Sequence, residues 1–312
     1  MIGILGSGFG LYGYLPALAN ITNEKICLLE RYKEKFNTRT ELLPFKKNII
    51  WVKNLNNFFS SIETLIISLT PIEQEKILRD CLNYQNIKNF ILEKPLAVSP
   101  SSSISLLSDI LESNNNFRIG YTFPYTSWAE SLFDMKHMQS ISQVNITWNF
   151  LAHHYKNDLQ NWKRFHDQGG SVLRFYGIHI IALASDIGYT DILYSNINGY
   201  KENDFNNWEC CFIGKSLPNL YININSKSPK TEFSIDSISM DDLSNKRCII
   251  SQDDPFSLKK ERDKSLIDSR VALLECILQS FNNKKVDYYR KYINTNLLWK
   301  MSEEKIKFNI SL

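Results

Sequence analysis

Short apolar runs separated by stretches of helix length open the chain. Met1–Leu5 runs into a glycine cluster, after which Leu11, Leu15 and Leu18 recur at helical spacing. Ile26–Leu29, Ile49–Val52, Thr64–Leu69, Phe90–Leu92 and Phe117–Tyr121 repeat the strand pattern. A helix is predicted over Glu73–Leu82, and another through Leu111 that Ser101–Ser103 are placed to cap. Strands alternating with helices predict a doubly wound parallel sheet with right-handed crossovers. After Thr122 the pattern changes. A helix over Ser127–Met138 leads to the strand Gln143–Phe150, a polar loop from His153 to His166, and an apolar helix that Gly169-Gly170 opens and that ends near Asp186. The runs Ile192–Asn198, Trp208–Ile213, Leu220–Asn225, Glu232–Ile238 and Cys248–Ser251 then follow without helices between them, which predicts an antiparallel sheet. A last helix is expected near Lys264–Phe281.

The fold class is therefore α/β: an N-terminal Rossmann domain over 1–121, and a C-terminal α+β domain over 122–312 with an open, mainly antiparallel sheet for substrate binding and oligomerisation. A length of 312 residues suits two domains. No Gly/Ser or Pro-rich linker divides them. A net charge of +3 without a long basic run argues against nucleic acid or an anionic membrane as partner. No signal peptide and no apolar stretch of about 18 residues is visible, so a cytoplasmic address is expected. The six cysteines contain no C-x-x-C pair and read as buried free thiols. Cys210 and Cys211, adjacent in a strand, should point to opposite faces, and no metal site is expected.

Gly6-Ser7-Gly8-Phe9-Gly10 follows the first strand directly, and Gly8-x-Gly10-x-x-Gly13 overlaps it. Glycine is needed there because the chain turns sharply and brings backbone N–H groups against a pyrophosphate at a helix N-terminus. Glu30, about twenty residues on at the end of strand two, is placed to accept the adenosine ribose hydroxyls. A 2′-phosphate beside it would meet repulsion of roughly 4 kcal/mol at ~4 Å and an effective dielectric of ~20. Arg31 offsets part of that, so NAD is favoured and NADP is the alternative. Glu93-Lys94-Pro95 stands at the end of strand five, where open α/β sheets place ligands.

These motifs together resemble the Gfo/Idh/MocA oxidoreductases. The residues that carry the resemblance are the glycine turn with Leu15-Pro16-Ala17-Leu18, Thr70-Pro71 after strand four, Glu93-Lys94-Pro95-Leu96-Ala97, Asn161-Trp162-Lys163, and Gly169-Gly170-Ser171-Val172-Leu173 leading to Gly177-Ile178-His179. The resemblance covers about residues 1–185. It implies hydride transfer between NAD(P) and a sugar, polyol or nucleotide-linked sugar, with Lys94 and His179 at the reacting carbon; Tyr176 and Tyr121, polar aromatics near the expected cleft, are further candidate proton donors. It places Phe9, Thr70, Pro71, Glu93 and Lys94 with the glycines, Glu30 and Arg31 at the cofactor. Tyr121, His153, Trp162, Lys163 and Phe175 fall on the substrate side, and a homodimer or homotetramer is implied. Two positions depart from the family. Its Asp four residues before the histidine is Phe175 here, and its His after Thr-Pro-Pro falls near Glu75. A carboxylate at i−4 would share a helical face with His179, whereas Phe only packs. The competing expectations are a dinucleotide-binding sensor or scaffold without catalysis, and an imine reductase or other dinucleotide enzyme. For His179 itself the competing expectation is a satisfied core histidine.

Overall fold

The computed structural model describes residues 1–135, 138, 140–241, 246–256, 268–282 and 286–310. In chain order the regular elements begin with β1 (Ile2–Leu5), α1 (Leu15–Ile21), β2 (Ile26–Leu29), α2 (Lys33–Asn37), β3 (Ile49–Val52), α3 (Leu55–Ser60), β4 (Thr64–Ile67) and α4 (Pro71–Cys81). β5 (Asn89–Leu92), α5 (Pro100–Glu112), β6 (Asn116–Ile119), α6 (Ser127–Met135), β7 (Ile141–Leu151), α7 (His153–Lys156) and α8 (Ile178–Ile187) follow. The chain continues through β8 (Asp191–Lys201), β9 (Asp204–Ile213), β10 (Asn219–Asn225), β11 (Lys227–Ser239), β12 (Lys246–Gln252), α9 (Val271–Gln279), α10 (Tyr288–Glu304) and β13 (Ile306–Ile310).

The first sheet is parallel, in the order β3-β2-β1-β4-β5-β6. Strand order reverses between β1 and β4, which makes the carboxyl ends of these two strands the crevice where such sheets take ligands. The second sheet runs β12-β11-β7-β10-β9-β8-β13. It is mixed, because β7 pairs parallel with β10 and β13 pairs parallel with β8, and the rest of its ladders are antiparallel. Neither parallel pairing nor the last helix and strand is foreseen by the hydrophobic pattern. In α10 the polar residues Thr295, Asn296 and Ser302 are buried, each bonded to the carbonyl four residues back. Polar residues on the inward face erase the apolar stripe that a sequence reading needs.

Local corrections have simple causes. α5 begins at Pro100, and its cap is Ser99, whose Oγ accepts from the Ser102 N–H at 3.2 Å, so the serines 101–103 lie inside the helix. Helix α6 ends at Met135, and Lys136 and His137 lie outside the described residues, as do positions 264–267 of the expected last helix. Cys27, Cys81, Cys210 and Cys211 are buried, whereas Cys248 is exposed and Cys276 half-buried. Burial pushes the Cys27 thiol up to about 11, which keeps it protonated and inert. Cys210 stands opposite Ser195 and Ile222 and Cys211 opposite Tyr194 and Tyr221, on the two faces of the sheet.

The chain divides into two compact units. The first holds Met1–Ala97 and Ser105–Thr122 together with the described part of Lys260–Tyr289, and the second holds the described residues of Val98–Ile104, Phe123–Lys259 and Arg290–Leu312. A single boundary at 121/122 thus differs from the structure, because the chain returns to the first unit after β12. The return is held by burial: Val271, Leu273, Leu274 and Ile277 of α9 are buried, and α9 packs on α1. Arg118 of β6 anchors the same segment, its guanidinium 3.4 Å from the Tyr288 ring centroid and 4.4 Å from that of Phe281, donating to the carbonyl and hydroxyl of Ser280. Among the described residues no helix is long and apolar enough to cross a membrane.

Candidate cofactor and substrate sites

The glycine turn leaves the carboxyl end of β1 beside β4. Gly6 has φ +130°, and a Cβ there would lie 2.1 Å from the Ser68 carbonyl oxygen, so only glycine fits. A Cβ at Gly10 would meet Ile4 Cγ2 at 2.9 Å, which lets the helix lie close on the strand, and one at Gly13 would meet the Phe9 ring at 2.5 Å. Gly8 differs from these: a Cβ there would find nothing within 4 Å. Its absent side chain therefore serves no packing and leaves the backbone open to a ligand. The helix that follows starts with a π turn, Gly10–Tyr14, and the Leu11 N–H donates to the Gly8 carbonyl at 2.9 Å. An open Gly8 at the N-terminal end of this helix is a cradle that suits a pyrophosphate.

Glu30 opens a tight turn at the end of β2. Tyr32, two residues on, is buried, and its hydroxyl accepts the Gly6 N–H at 3.3 Å. Arg31 folds onto that tyrosine, with Nη2 3.4 Å from the hydroxyl. Lys35, unremarked in the sequence, reaches Ser7 Oγ at 3.5 Å and adds a second cation beside the turn. From the returning segment, Arg270 lies 4.1 Å from the Phe9 ring centroid and pairs with Asp268 through Nε and Nη2 at 2.9 and 2.8 Å.

Thr70 caps α4 in a full capping box with Glu73, and Pro71 sits in its first turn, so both expected cofactor residues have a local structural role. The expected turn at the end of β5 is present, with Lys94 9% exposed and a cis bond to Pro95. Desolvation pushes the Glu93 carboxyl above the usual carboxylate range, against Lys94, the Tyr14 hydroxyl and the Arg270 guanidinium, which pull it down. Tyr121, just past β6, is buried.

In the second unit Gly169 has φ +83°, and a Cβ at Gly170 would lie 2.0 Å from the Trp162 carbonyl. Ser171, third in the run, keeps φ +67°, and its hydroxyl is 2.9 Å from His166 Nδ1. A left-handed serine is a strained residue that its buried surroundings hold in place. Val172–Gly177 is a π-helix, and its Arg174 is clamped by Glu303 at 2.7 Å through both Nε and Nη2. The Ile178 N–H donates to the Leu173 carbonyl five residues back, so the α-helical facing of positions 175 and 179 does not apply here. Phe175 lies edge-on to Trp162 and Tyr176, with Lys163 Nζ 5.3 Å from its ring centroid. His179, 4% exposed, stacks on Phe123 at 4.8 Å. Tyr176 meets Trp148, Phe150 and His154. His153 is exposed on α7 and bonds Asn157, whereas His154 is buried. Lys94 and His179 belong to different units. Among the described residues no group of three or more His, Cys, Asp or Glu side chains is placed to hold a metal.

No protein-family model matches the sequence, and no curated protein matches it. The chain is similar in structure to GenD2 from gentamicin A biosynthesis, solved with NAD, at 10% identity over 97% of this chain and 93% of that one, with a TM-score of 0.72. It is similar to KijD10, a 3-ketoreductase from Actinomadura kijaniata solved with NADP and TDP-benzene, at 11% identity over 100% and 99% of the two chains and a TM-score of 0.69. It is also similar to the super-repressor mutant of Gal80p from Saccharomyces cerevisiae, at 13% identity over 97% and 94% with a TM-score of 0.71. These likenesses, all at 13% identity or below, establish the fold: a six-stranded parallel sheet followed by a mixed, mostly antiparallel sheet.

Proposed function

We propose that the chain is a cytoplasmic nicotinamide-dinucleotide-dependent oxidoreductase acting on a hydroxyl or keto carbon of a sugar-like substrate. The observation that carries this is Gly8, open above its Cα at the β1–β4 switch point while Gly6 and Gly10 are closed by packing. Bound there, the dinucleotide supplies hydride transfer at its nicotinamide ring. The residues proposed to hold it are Gly6, Gly8, Phe9, Gly10, Glu30, Arg31, Thr70, Pro71, Glu93 and Lys94. The role assigned to Lys94 is to polarise the substrate oxygen, and that assigned to His179 is to exchange the proton, with Tyr176 as a further donor. Tyr121, His153, Trp162, Lys163 and Phe175 contact the substrate. The second sheet fits self-association into a homodimer or homotetramer through a polar row across β7, β10, β9 and β8, Asn149-Asn225-Asn207-Asn198, whose amides both donate and accept hydrogen bonds.

Phe175 favours a second reading, a dinucleotide-binding sensor, since it sits among aromatic rings and a similar structure is described by repression. His179→Ala decides between them. In the enzyme it lowers kcat on a keto or hydroxy sugar found by panel screening by about 10²–10⁴ and leaves NADH affinity unchanged. NADH binding with no turnover across the panel favours the sensor, and near-parental kcat in the variant returns His179 to the core.

A further inference from the structure

We propose that Gln74 is the positioning residue for Lys94, an inference that rests on the reading of Lys94 as a group facing cofactor and substrate. Parallel pairing supports the chain only to the end of β5, where the Glu93 N–H still reaches the Ile67 carbonyl at 3.2 Å. Beyond that point Gln74 takes over. It lies in the first turns of α4, fully buried, with its own N–H donating to the Thr70 carbonyl at 2.8 Å, so the Thr70–Glu73 box fixes where its side chain starts. Its Oε1 accepts the Glu93 N–H at 2.7 Å. Its Nε2 donates to the carbonyls of Glu93 at 2.8 Å and Leu96 at 3.0 Å, with the Pro95 carbonyl at 3.4 Å. One carboxamide thus fastens the backbone on both sides of Lys94.

The pairing is chemically specific. The anchor must accept one N–H and donate two, which a carboxamide of this length does. Glutamate keeps the acceptor and loses the donors, methionine loses both, and asparagine is one methylene short. A turn released by such a change moves its lysine, and a displacement near 1 Å costs about 10²-fold in turnover.

The test uses the full chain without substrate. Gln74→Met, Gln74→Glu and Gln74→Asn are compared with Leu78→Ala, a control that opens a cavity at a fully buried position of the same helix. Each is trace-labelled with acetic anhydride over a range of pH, and acetylation of Lys94 is read by mass spectrometry with and without NADH. We expect the Gln74 variants to shift the Lys94 labelling midpoint by about half a pH unit or more. Leu78→Ala should leave it unchanged at an equal or larger loss of Tm. Parental labelling in the Gln74 variants that fold, or an equal shift in Leu78→Ala, overturns the proposal. The ligand-free samples alone decide the role of Gln74. Failure of NADH to protect Lys94 in the parent is a separate result that overturns the functional reading.

Discussion

A methyl group added at Gly8 and one added at Gly6 meet opposite surroundings, and the contrast separates folding from binding. At Gly8 the new Cβ has nothing within 4 Å, so Gly8→Ala should leave the fold intact and gain about 0.4–1 kcal/mol from a less flexible unfolded chain. At Gly6 the Cβ would stand 2.1 Å from a backbone oxygen of Ser68, with φ +130° against it as well. Overpacking and backbone strain each cost about 1–3 kcal/mol, so Gly6→Ala should lose about 2–6 kcal/mol of a total stability of about 5–15 kcal/mol. Binding reverses the order. Gly8→Val sets two methyl groups where the phosphates must approach the helix N-terminus, and losing two charge-assisted hydrogen bonds at about 1.5–3 kcal/mol each weakens NADH by more than about 10²-fold. Denaturant midpoints and NADH fluorescence titrations on the same three variants check both halves. A Gly8→Val protein that binds NADH like the parent refutes the placement of the cofactor, and a strongly destabilised Gly8→Ala refutes the open space above that residue.

Cofactor choice and acid stability give two further tests. NADH should bind about tenfold tighter than NADPH, near 1.4 kcal/mol, because Arg31 offsets only part of the repulsion from Glu30, and Glu30→Ser should narrow or reverse the ratio. Lys35→Ala should weaken NADPH more than NADH, since Lys35 lies against Ser7, and equal parental affinities for the two cofactors would remove Glu30 from the ribose. For acid stability, burial with Lys163 and Arg164 nearby pulls His154 down to about 4, and burial with Arg174 pulls His166 down to about 3. Both sit below an unfolded value of about 6.5, so the unfolded chain binds more protons and stability falls as pH drops from about 6.5 to about 4. The ceilings are about 3 kcal/mol for His154 and about 5 kcal/mol for His166, reached below those folded values. His154→Gln should remove about half of the part of the slope of urea stability against pH that the two histidines supply in that window, and an unchanged slope would mean that the buried ring already carries its proton.

What could be read from the sequence and what could not divides along the range of the interactions. The six strands of the first sheet, the glycine turn and the Glu93–Pro95 turn depend on apolar runs and punctuation within a few residues, and they are legible for that reason. Their boundaries move by one or two residues: β6 starts at Asn116 rather than Phe117 and β4 stops at Ile67 rather than Leu69. Gln74, Tyr32, Lys35 and Arg270 carry no such signal. Each is a polar or amphipathic residue in a segment where solvent exposure is the ordinary expectation, and each gains its role from a partner that only the tertiary fold supplies: the β5 turn for Gln74, Gly6 for Tyr32, Ser7 for Lys35 and Phe9 for Arg270. Phe175 shows a different failure, one of period rather than range. Setting it on one face with His179 assumes the α-helical repeat, and the π-helix ending at Gly177 breaks that repeat one residue before α8 begins. Phe175 then belongs with Trp162, Lys163 and Tyr176, while His179 belongs with Phe123 and Phe256. A carboxylate at position 175 would stand close to the Lys163 ammonium, which lies 5.3 Å from the present ring centroid. The absence of an aspartate at a position where the resembled oxidoreductases carry one is therefore weaker evidence of lost chemistry than the spacing alone implies, and the case for or against catalysis rests on what His179 and Lys94 do when substrate is offered.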